Sequence, residues 1–404
     1  MLSCNAPMRT DASEKLIEVP DHRRAVTSAA ISPSIAQYFR TFHASRKYNV
    51  LLFALIYKMT QRIETPRSIL ILRMSGFGDV LWTTPMLAAL KTAYPEASIG
   101  YVVRRNSALV LKHNPHVDRL HIFEREDLPY QAVFLRRLSG HRYDLSIDVI
   151  CSMATAIMSI ASHAKDRVGF DFKVRKQFYN HVLSRHEANY GHQVQFYLYA
   201  LSYLGIDIRD TELVWRVSDD ERECADGIMQ ELGISGHSPL IGLIPTGGYA
   251  SKKWSPQRYG EVVRELHRSS NAIAVVFWGS EKERLEAEQI RQGNEAFTFV
   301  VPKTTLREAA AVMDRCDLVL GNDSGPLHVA TALRKPVLGL YGPSRPESQG
   351  PWGNKARTVR APNVMDYCCR EVVCTKPDHP CMNNITVEMV ASAAEDMLQE
   401  YVTP

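Results

Sequence analysis

Two series of short apolar runs constrain the fold of this chain more than any other feature of its sequence. In the first, SILILR (68–73), ASIGYVV (97–103), RLHIF (119–123) and DLSIDVI (144–150) are separated by longer amphipathic stretches. Short apolar runs alternating with helical segments are the pattern of buried parallel strands joined by crossover helices. The pattern restarts at PLIGLIP (239–245), after the acidic stretch VSDDERECADGIMQELGISGHS, which reads as one helix and a turn. It continues through AIAVVFWG (272–279), FTFVVP (297–302), DLVLGND (317–323) and PVLGLYG (336–342). Two successive open α/β sheets are therefore expected, and 404 residues suffice for both. Such a pair implies a cleft, with ligands beyond the carboxyl ends of the strands.

Composition narrows the function classes. The chain is 45% hydrophobic and 23% charged, as soluble proteins are, and its formal net charge is +4 with no long Lys/Arg block. Nucleic acid is accordingly not an expected partner. Cysteines at 4, 151, 224 and 316 are scattered, and those at 368, 369, 374 and 381 are bunched, which suits a reducing cytoplasm better than a secreted disulfide framework. The polar, mixed-charge opening of residues 1–47 does not read as a signal peptide, and we assign it no chemistry. The run NVLLFALIYKM (49–59) is too short to span a bilayer. With Arg46, Lys47, Lys58 and Arg62 about it, it reads either as a helix lying in a membrane interface or as one packed on the first domain.

In RMSGFGDV, Gly76 and Gly78 permit a tight turn at the start of a helix, where an anion is favoured. A dinucleotide fingerprint fails here, because Leu81 stands where a third glycine belongs and Arg104 and Arg105 stand where an acid should follow the second strand. Asp79 is unexpected in such a loop, since a carboxylate repels a diphosphate. It reads as a helix-terminal acid or as a base facing the cleft. Pro85 favours a helix beginning there with Thr84 as its cap, which would leave Asp79 on an exposed loop.

In GNDSGPLHVATAL, a strand ends at Gly321, Asn322, Asp323, Ser324 and Gly325, and Pro326 opens a helix carrying His328. Its free amides form a diphosphate cradle, unless the helix is capped by its own Asp and Ser. In IPTGGYASKKWSPQRYGEVV, Thr246, Gly247 and Gly248 follow a strand, and Lys252 is placed to neutralise a departing phosphate, whereas a lysine pair is more often only solvated. FWGSEKER repeats the theme with Glu281, either a helix-terminal acid or a ribose acceptor. CCREVVCTKPDHPC gathers Cys368, Cys369, Cys374, His379 and Cys381 without paired C-x-x-C units, so structural thiols are expected rather than zinc. Neither Asp-x-Asp nor His-x-x-x-His occurs, which disfavours metal-dependent sugar-nucleotide chemistry and zinc hydrolysis.

Together, ILILRMSGFGDVLWTTPMLAALKTAYP, GLIPTGGYASKKWSPQRYGEVV and LVLGNDSGPLHVATALRKPVLGLYGPS resemble glycosyltransferase family 9, the heptosyltransferases of lipopolysaccharide core assembly. NPHVDRLHIF, DRVGFDF, HQVQFYLYALSYLGI and CMNNITVEMV are smaller echoes, and the likeness runs from about residue 67 to about 390. The resemblance implies a GT-B fold of two Rossmann-like doubly wound domains facing a central cleft. Residues 66–217 would bind acceptor and 218–404 the nucleotide sugar, after an extension of 1–65 that lies outside the likeness. It implies inverting transfer from ADP-heptose to a lipopolysaccharide core or similar surface glycan, with no metal or other cofactor.

Asp79 would be the general base and Lys252 the diphosphate contact, joined on the donor side by Thr246, Gly247, Glu281, Asp323, Ser324, Gly325 and His328. Gly76, Gly78, Arg104 and Arg105 would face the acceptor, and Lys173 and Arg175 lie in a further basic stretch that either meets phosphorylated glycan or is solvated surface. The implied setting is the cytoplasm, with peripheral contact to the inner membrane through the extension. A GT-B epimerase and a non-catalytic nucleotide-sugar-binding protein are the competing readings.

Overall fold

The computed structural model describes residues 63–186, 188, 191–236, 239–362 and 372–402. The expected helix at 49–59, together with Cys4, Cys368 and Cys369, lies outside the described residues. From Thr65 onward they form one unit. Its strands are β1 Ser68–Leu72, β2 Ser98–Val103, β3 Arg119–Ile122, β4 Leu145–Asp148, β5 Asp166–Phe170 and β6 His181–Leu183, then β7 Leu240–Ile244, β8 Ile273–Val276, β9 Thr298–Val300, β10 Leu318–Asn322, β11 Val337–Leu340 and β12 Ala356–Val359.

All nine expected strands form. The apolar pattern does not announce β5, β6 or β12. In β5, Asp166 and Arg167 interrupt the apolar run, and Gly169 leaves room for the Tyr179 ring, which occupies the place of a Cβ.

Neighbouring strands pair in parallel, in the orders β3-β2-β1-β4-β5-β6 and β9-β8-β7-β10-β11-β12. The same doubly wound topology is thus built twice. In each sheet the strand order reverses beside the first strand, between β1 and β4 and between β7 and β10, and the crevices there are where such sheets bind ligands.

The helices that matter below are α1 Phe77–Trp82, α2 Thr84–Ala93, α3 Leu128–Ser139, α4 Met153–Ala161, α5 Gln193–Tyr203, α6 Asp219–Glu231, α7 Pro256–Ser270, α8 Glu281–Arg291, α9 Leu306–Met313, α10 Gly325–Ala332 and α11 Val387–Tyr401. Reciprocal capping boxes start α4 (Ser152 and Thr155), α6 (Ser218 and Glu221) and α9 (Thr305 and Glu308). In the first half, Leu70, Leu72 and Val102 of the sheet pack on Phe134, Leu138 and Met158. In the second, Ile241, Leu243, Leu318 and Leu320 pack on Tyr259, Leu266, Val390 and Met397.

One buried arginine ties the halves together. Arg307, at the start of α9, is 4% exposed. Its guanidinium donates to both oxygens of Glu221 at 2.6 and 2.7 Å, to the carbonyls of Leu109 and Lys112 in the first half at 3.1 and 3.3 Å, and to that of Arg216. It also lies 4.6 Å from the Trp215 ring centroid. Burial alone would raise the Glu221 carboxyl, but hydrogen bonds from Arg307 and the Ser218 amide outweigh it and hold the group down at about 2.

Candidate active site

The loop after β1 turns at Gly76, whose φ is 87° and which caps α1. A Cβ at Gly76 would overlap the carboxylate of Asp79, so this position needs glycine both for conformation and for space. Asp79 lies in the first turn of α1, not on the exposed loop that Pro85 suggested. Thr84 does not cap α2: its hydroxyl donates to Leu81 O at 2.7 Å and accepts from the Val214 amide at 2.9 Å. Helix α1 therefore runs up to Thr83, and Pro85 sits harmlessly at the start of the next helix.

Asp79 is held from two sides. Arg73 Nη2 lies 2.6 Å from Oδ2, and the Tyr197 hydroxyl donates to Oδ1 at 2.8 Å. Burial first, and then the charge of Asp79, raise the Tyr197 phenol well above its ordinary range, so it stays protonated and donates. Each carboxylate oxygen keeps a second acceptor direction, and the side chain is 31% exposed. Asp79 can therefore still receive a proton from a third group approaching from the cleft.

The loop after β7 carries Thr246 and Gly247, both half-buried, and then Lys252. Lys252 Nζ lies 2.6 Å from Oδ2 of Asp323, which also accepts from the Ser344 hydroxyl. Lys253 turns away to Glu286 at 2.7 Å, so the two lysines do different jobs. Asn322 staples the loops together: its amide donates to Pro245 O at 2.6 Å while its oxygen accepts from the Trp254 amide and the Tyr259 hydroxyl. Gly321 has no room for a Cβ, which would lie 2.6 Å from Ile244 O.

Ser324 precedes α10, yet its side chain makes no capping hydrogen bond, and Pro326 occupies the first turn. The self-capped alternative is thereby set aside. The first-turn amides of α10 keep no side-chain cap, and both Ser324 Oγ and His328 Nδ1 are buried without a hydrogen-bond partner among the described residues. Buried polar atoms are rarely left unpaired, so an uncapped helix start with two such atoms fits an anionic ligand. Burial pushes the His328 imidazole down to about 4, so the ring is neutral near pH 7.

Helices α1 and α10 face each other. A Cβ on Gly78 would lie 3.4 Å from the His328 ring, and one on Gly325 would lie 3.1 Å from Phe77. Trp82 lies 4.8 Å from His328 and 5.6 Å from His192 between ring centroids. Helix α1, which carries Asp79, and the uncapped start of α10 thus lie against each other.

Other expected residues lie elsewhere. Arg104 pairs with Glu126 and the exposed Arg105 with Glu124. Glu281 is exposed at the start of α8 and pairs with Arg284 at 2.8 Å, while Ser280 caps that helix. Arg175 lies over the Phe172 ring at 5.1 Å, and Lys173 is exposed. Cys374 is half-buried and Cys381 buried. Among the described residues no group of three or more His, Cys, Asp or Glu is placed to hold a metal ion.

Asp148, at the carboxyl end of β4 beside the first switch point, is a site-adjacent group that the motifs did not flag. It is fully buried, accepting from the Tyr179 hydroxyl at 2.7 Å and from the amides of Cys151 and Ile150 at 2.7 and 3.1 Å. Burial raises its carboxyl from 3.8 to about 6 despite those bonds. The folded state holds this proton more tightly than the unfolded chain, so stability falls as pH rises from about 4 to about 6, by roughly 3 kcal/mol, and stays lowered above. Asp148→Asn keeps the shape and the acceptor oxygen while removing the charge. It is expected to melt several degrees above wild type at pH 8 and to lose that advantage at pH 4.5. Earlier melting at pH 8 would overturn this account.

A family model described as glycosyltransferase family 9 (heptosyltransferase) matches residues 132–379. The chain belongs to glycosyltransferase family 9. This family 9 glycosyltransferase is 25% identical over 304 residues to the lipopolysaccharide core heptosyltransferase OpsX of Haemophilus influenzae, across 73% of this chain and 85% of that one. Among solved structures it matches a family 9 glycosyl transferase from Veillonella parvula with a TM-score of 0.72 at 24% identity, covering 84% of this chain and 99% of the other. It matches the E. coli ADP-heptose lps heptosyltransferase II with a TM-score of 0.65 at 24% identity, covering 82% and 99%. The fold of the family 9 chain is GT-B.

Four residues at this site went unassigned in the motifs. Arg73 stands in the quoted RMSGFGDV, and Tyr197 in HQVQFYLYALSYLGI, but neither carries a sign of its partner. Ser344, within LYGPS, reaches back across 21 residues to Asp323. His192 starts α5 and joins its ring nitrogen to Gly350 O at 3.1 Å, from the other half of the chain.

Proposed function

We propose that this glycosyltransferase moves a heptose-type sugar, with inversion, from an ADP-linked donor to a lipopolysaccharide core or similar glycan acceptor, without a metal ion. The observation that carries the reading is that α1, with Asp79 in its first turn, faces the uncapped start of α10. The first half would hold the acceptor and the second the nucleotide sugar. The relatives' names agree with this: the H. influenzae protein is a lipopolysaccharide core heptosyltransferase, and the E. coli structure is of an ADP-heptose enzyme.

In the proposed reaction an acceptor hydroxyl attacks the anomeric carbon while its proton passes to Asp79. The bond from that carbon to the diphosphate oxygen breaks, and its electron pair leaves with ADP. Lys252 and the α10 amides stabilise the charge that develops on the leaving group, in a preorganised site where such stabilisation is strongest. Ser324 and the neutral His328 supply hydrogen bonds to the same diphosphate. Asp323 keeps Lys252 aimed, and Thr246 and Gly247 complete the donor side.

The reading places the enzyme at the cytoplasmic face of the inner membrane, where a lipid-linked acceptor is made. No helix among the described residues is long and apolar enough to cross a membrane.

The test is a panel of ADP- and UDP-sugars incubated with chelator, with and without a delipidated core oligosaccharide. ADP-heptose should be consumed only when acceptor is present, at a rate that chelator does not change. Consumption of a UDP-sugar instead, or loss of activity restored by a metal ion, would overturn the donor or the metal-independent step. Conversion of a sugar nucleotide without acceptor would establish an epimerase, and binding without turnover a non-catalytic protein.

A further inference from the structure

Exposed apolar side chains are unevenly spread over this molecule. Six of the thirteen large hydrophobic side chains that lie exposed among the described residues fall on α3, α4 and the 3₁₀ segment Lys173–Phe178. Helix α4 packs against both of the others and covers the β1 and β4 side of the first sheet. Thr155, Ala156, Met158 and Ser159 face inward, while Met153, Ile157 and Ile160 are 49%, 41% and 50% exposed. Their spacing of four and three residues sets them along one outer stripe. A helix at a protein surface ordinarily turns its polar residues outward, and here the outward residues are aliphatic.

The charge pattern around the stripe is one-sided. From Val149 to Ala164 there is no Asp, Glu, Lys or Arg. Arg136 and Arg137 end α3 on one side of α4, and Lys173, Arg175 and Lys176 lie in the 3₁₀ segment on the other. None of the three elements contains a carboxylate. Val174, between two of those cations, is 64% exposed.

We propose that this face of the first sheet docks on an anionic phospholipid surface, with Met153, Ile157 and Ile160 entering the headgroup region and the flanking cations meeting lipid phosphates. An apolar stripe edged by Lys and Arg is the chemistry that binds such a surface, through buried area and electrostatic attraction together. A second copy of the chain fits less well, because a symmetric contact would bring the same five cations face to face. Helix α4 starts just beyond the carboxyl end of β4, at the sheet edge from which β1 presents Asp79. Docking there sets the acceptor side of the cleft beside the lipid. The inference rests on the lipid-linked acceptor reading for its purpose, while the docking itself is tested without catalysis.

The experiment is co-sedimentation of the full chain with phosphatidylcholine vesicles, with and without phosphatidylglycerol. It compares wild type, M153S/I157S/I160S and R136Q/R137Q/K173Q/K176Q. Wild type should bind the phosphatidylglycerol vesicles more tightly, and the apolar triple variant should lose on the order of 10–100-fold in partitioning. The charge variant should lose about fivefold per cation, on the anionic vesicles alone. All substituted positions are on the outer surface, so melting of both variants, and turnover of a delipidated acceptor by the apolar triple variant, should match wild type.

Absence of wild-type binding, or triple-variant binding equal to wild type, overturns the proposal. So does a wild-type dimer that the triple substitution dissociates, since the stripe would then be covered by a second copy. Vesicle binding that follows these expectations in a protein inactive on every acceptor would sink the transferase reading and leave the docking face standing.

Discussion

Asp79→Asn is expected to lower turnover by about 10²–10⁴-fold, the range in which a positioned general base contributes, while leaving donor affinity unchanged. The substitution is nearly isosteric, and the Tyr197 hydroxyl can still donate to the remaining carbonyl oxygen. What disappears is the oxygen that pairs with Arg73 and the capacity to take a proton from the acceptor. Single-turnover rates together with equilibrium binding of the donor separate the two effects. Undiminished chemistry with donor bound would remove Asp79 from the mechanism. Weakened donor binding with intact chemistry would assign it instead to the donor side of the cleft.

Arg307→Ala should destabilise the chain by about 3–5 kcal/mol, the usual consequence of leaving one member of a buried ion pair behind. Glu221, at 10% side-chain exposure, would be left with the Ser218 amide and, farther off, Lys112 at 3.8 Å and His113. The carbonyls of Leu109, Lys112 and Arg216 would lose their donor as well. Because the guanidinium joins segments from both halves, a second consequence is expected: denaturation should split into two transitions where wild type shows one. Chemical denaturation followed by fluorescence and by far-UV dichroism checks both. A loss below about 1 kcal/mol with a single transition would show that the halves are held by other contacts.

Much of this architecture is written in local patterns. Nine of the strands are visible as apolar runs because a buried parallel strand must be apolar on both faces. The strands that stay hidden are those where another requirement wins, as in β5, where Gly169 yields its place to the Tyr179 ring. The strand end and helix start after β10 were legible for a similar reason. Gly, Asn, Asp, Ser and Gly after an apolar run, with Pro next, mark that junction, while whether Ser324 caps the helix was not written in the sequence.

Pairings across the fold were not legible. Tyr197 reaches Asp79 over 118 residues of sequence, and no local pattern encodes such a separation. The same limit applies to the arginines after β2. Arg104 and Arg105 look like phosphate ligands when read alone, and only the fold brings Glu126 and Glu124 beside them. Thr84 misled for a different reason: a hydroxyl before a proline resembles a cap, whereas this one bonds back into the preceding turn and across to Val214.

Trp82 makes T-shaped contacts with His328 of α10 and with His192, and His192 in turn lies 4.6 Å from Trp352. Its indole nitrogen is buried without a hydrogen-bond partner among the described residues. Indole emission responds to the polarity and the protonation of such neighbours. The chain therefore carries an intrinsic optical reporter at the seam of its two halves, one that would, on the proposed function, time nucleotide entry in a rapid-mixing instrument with no label attached.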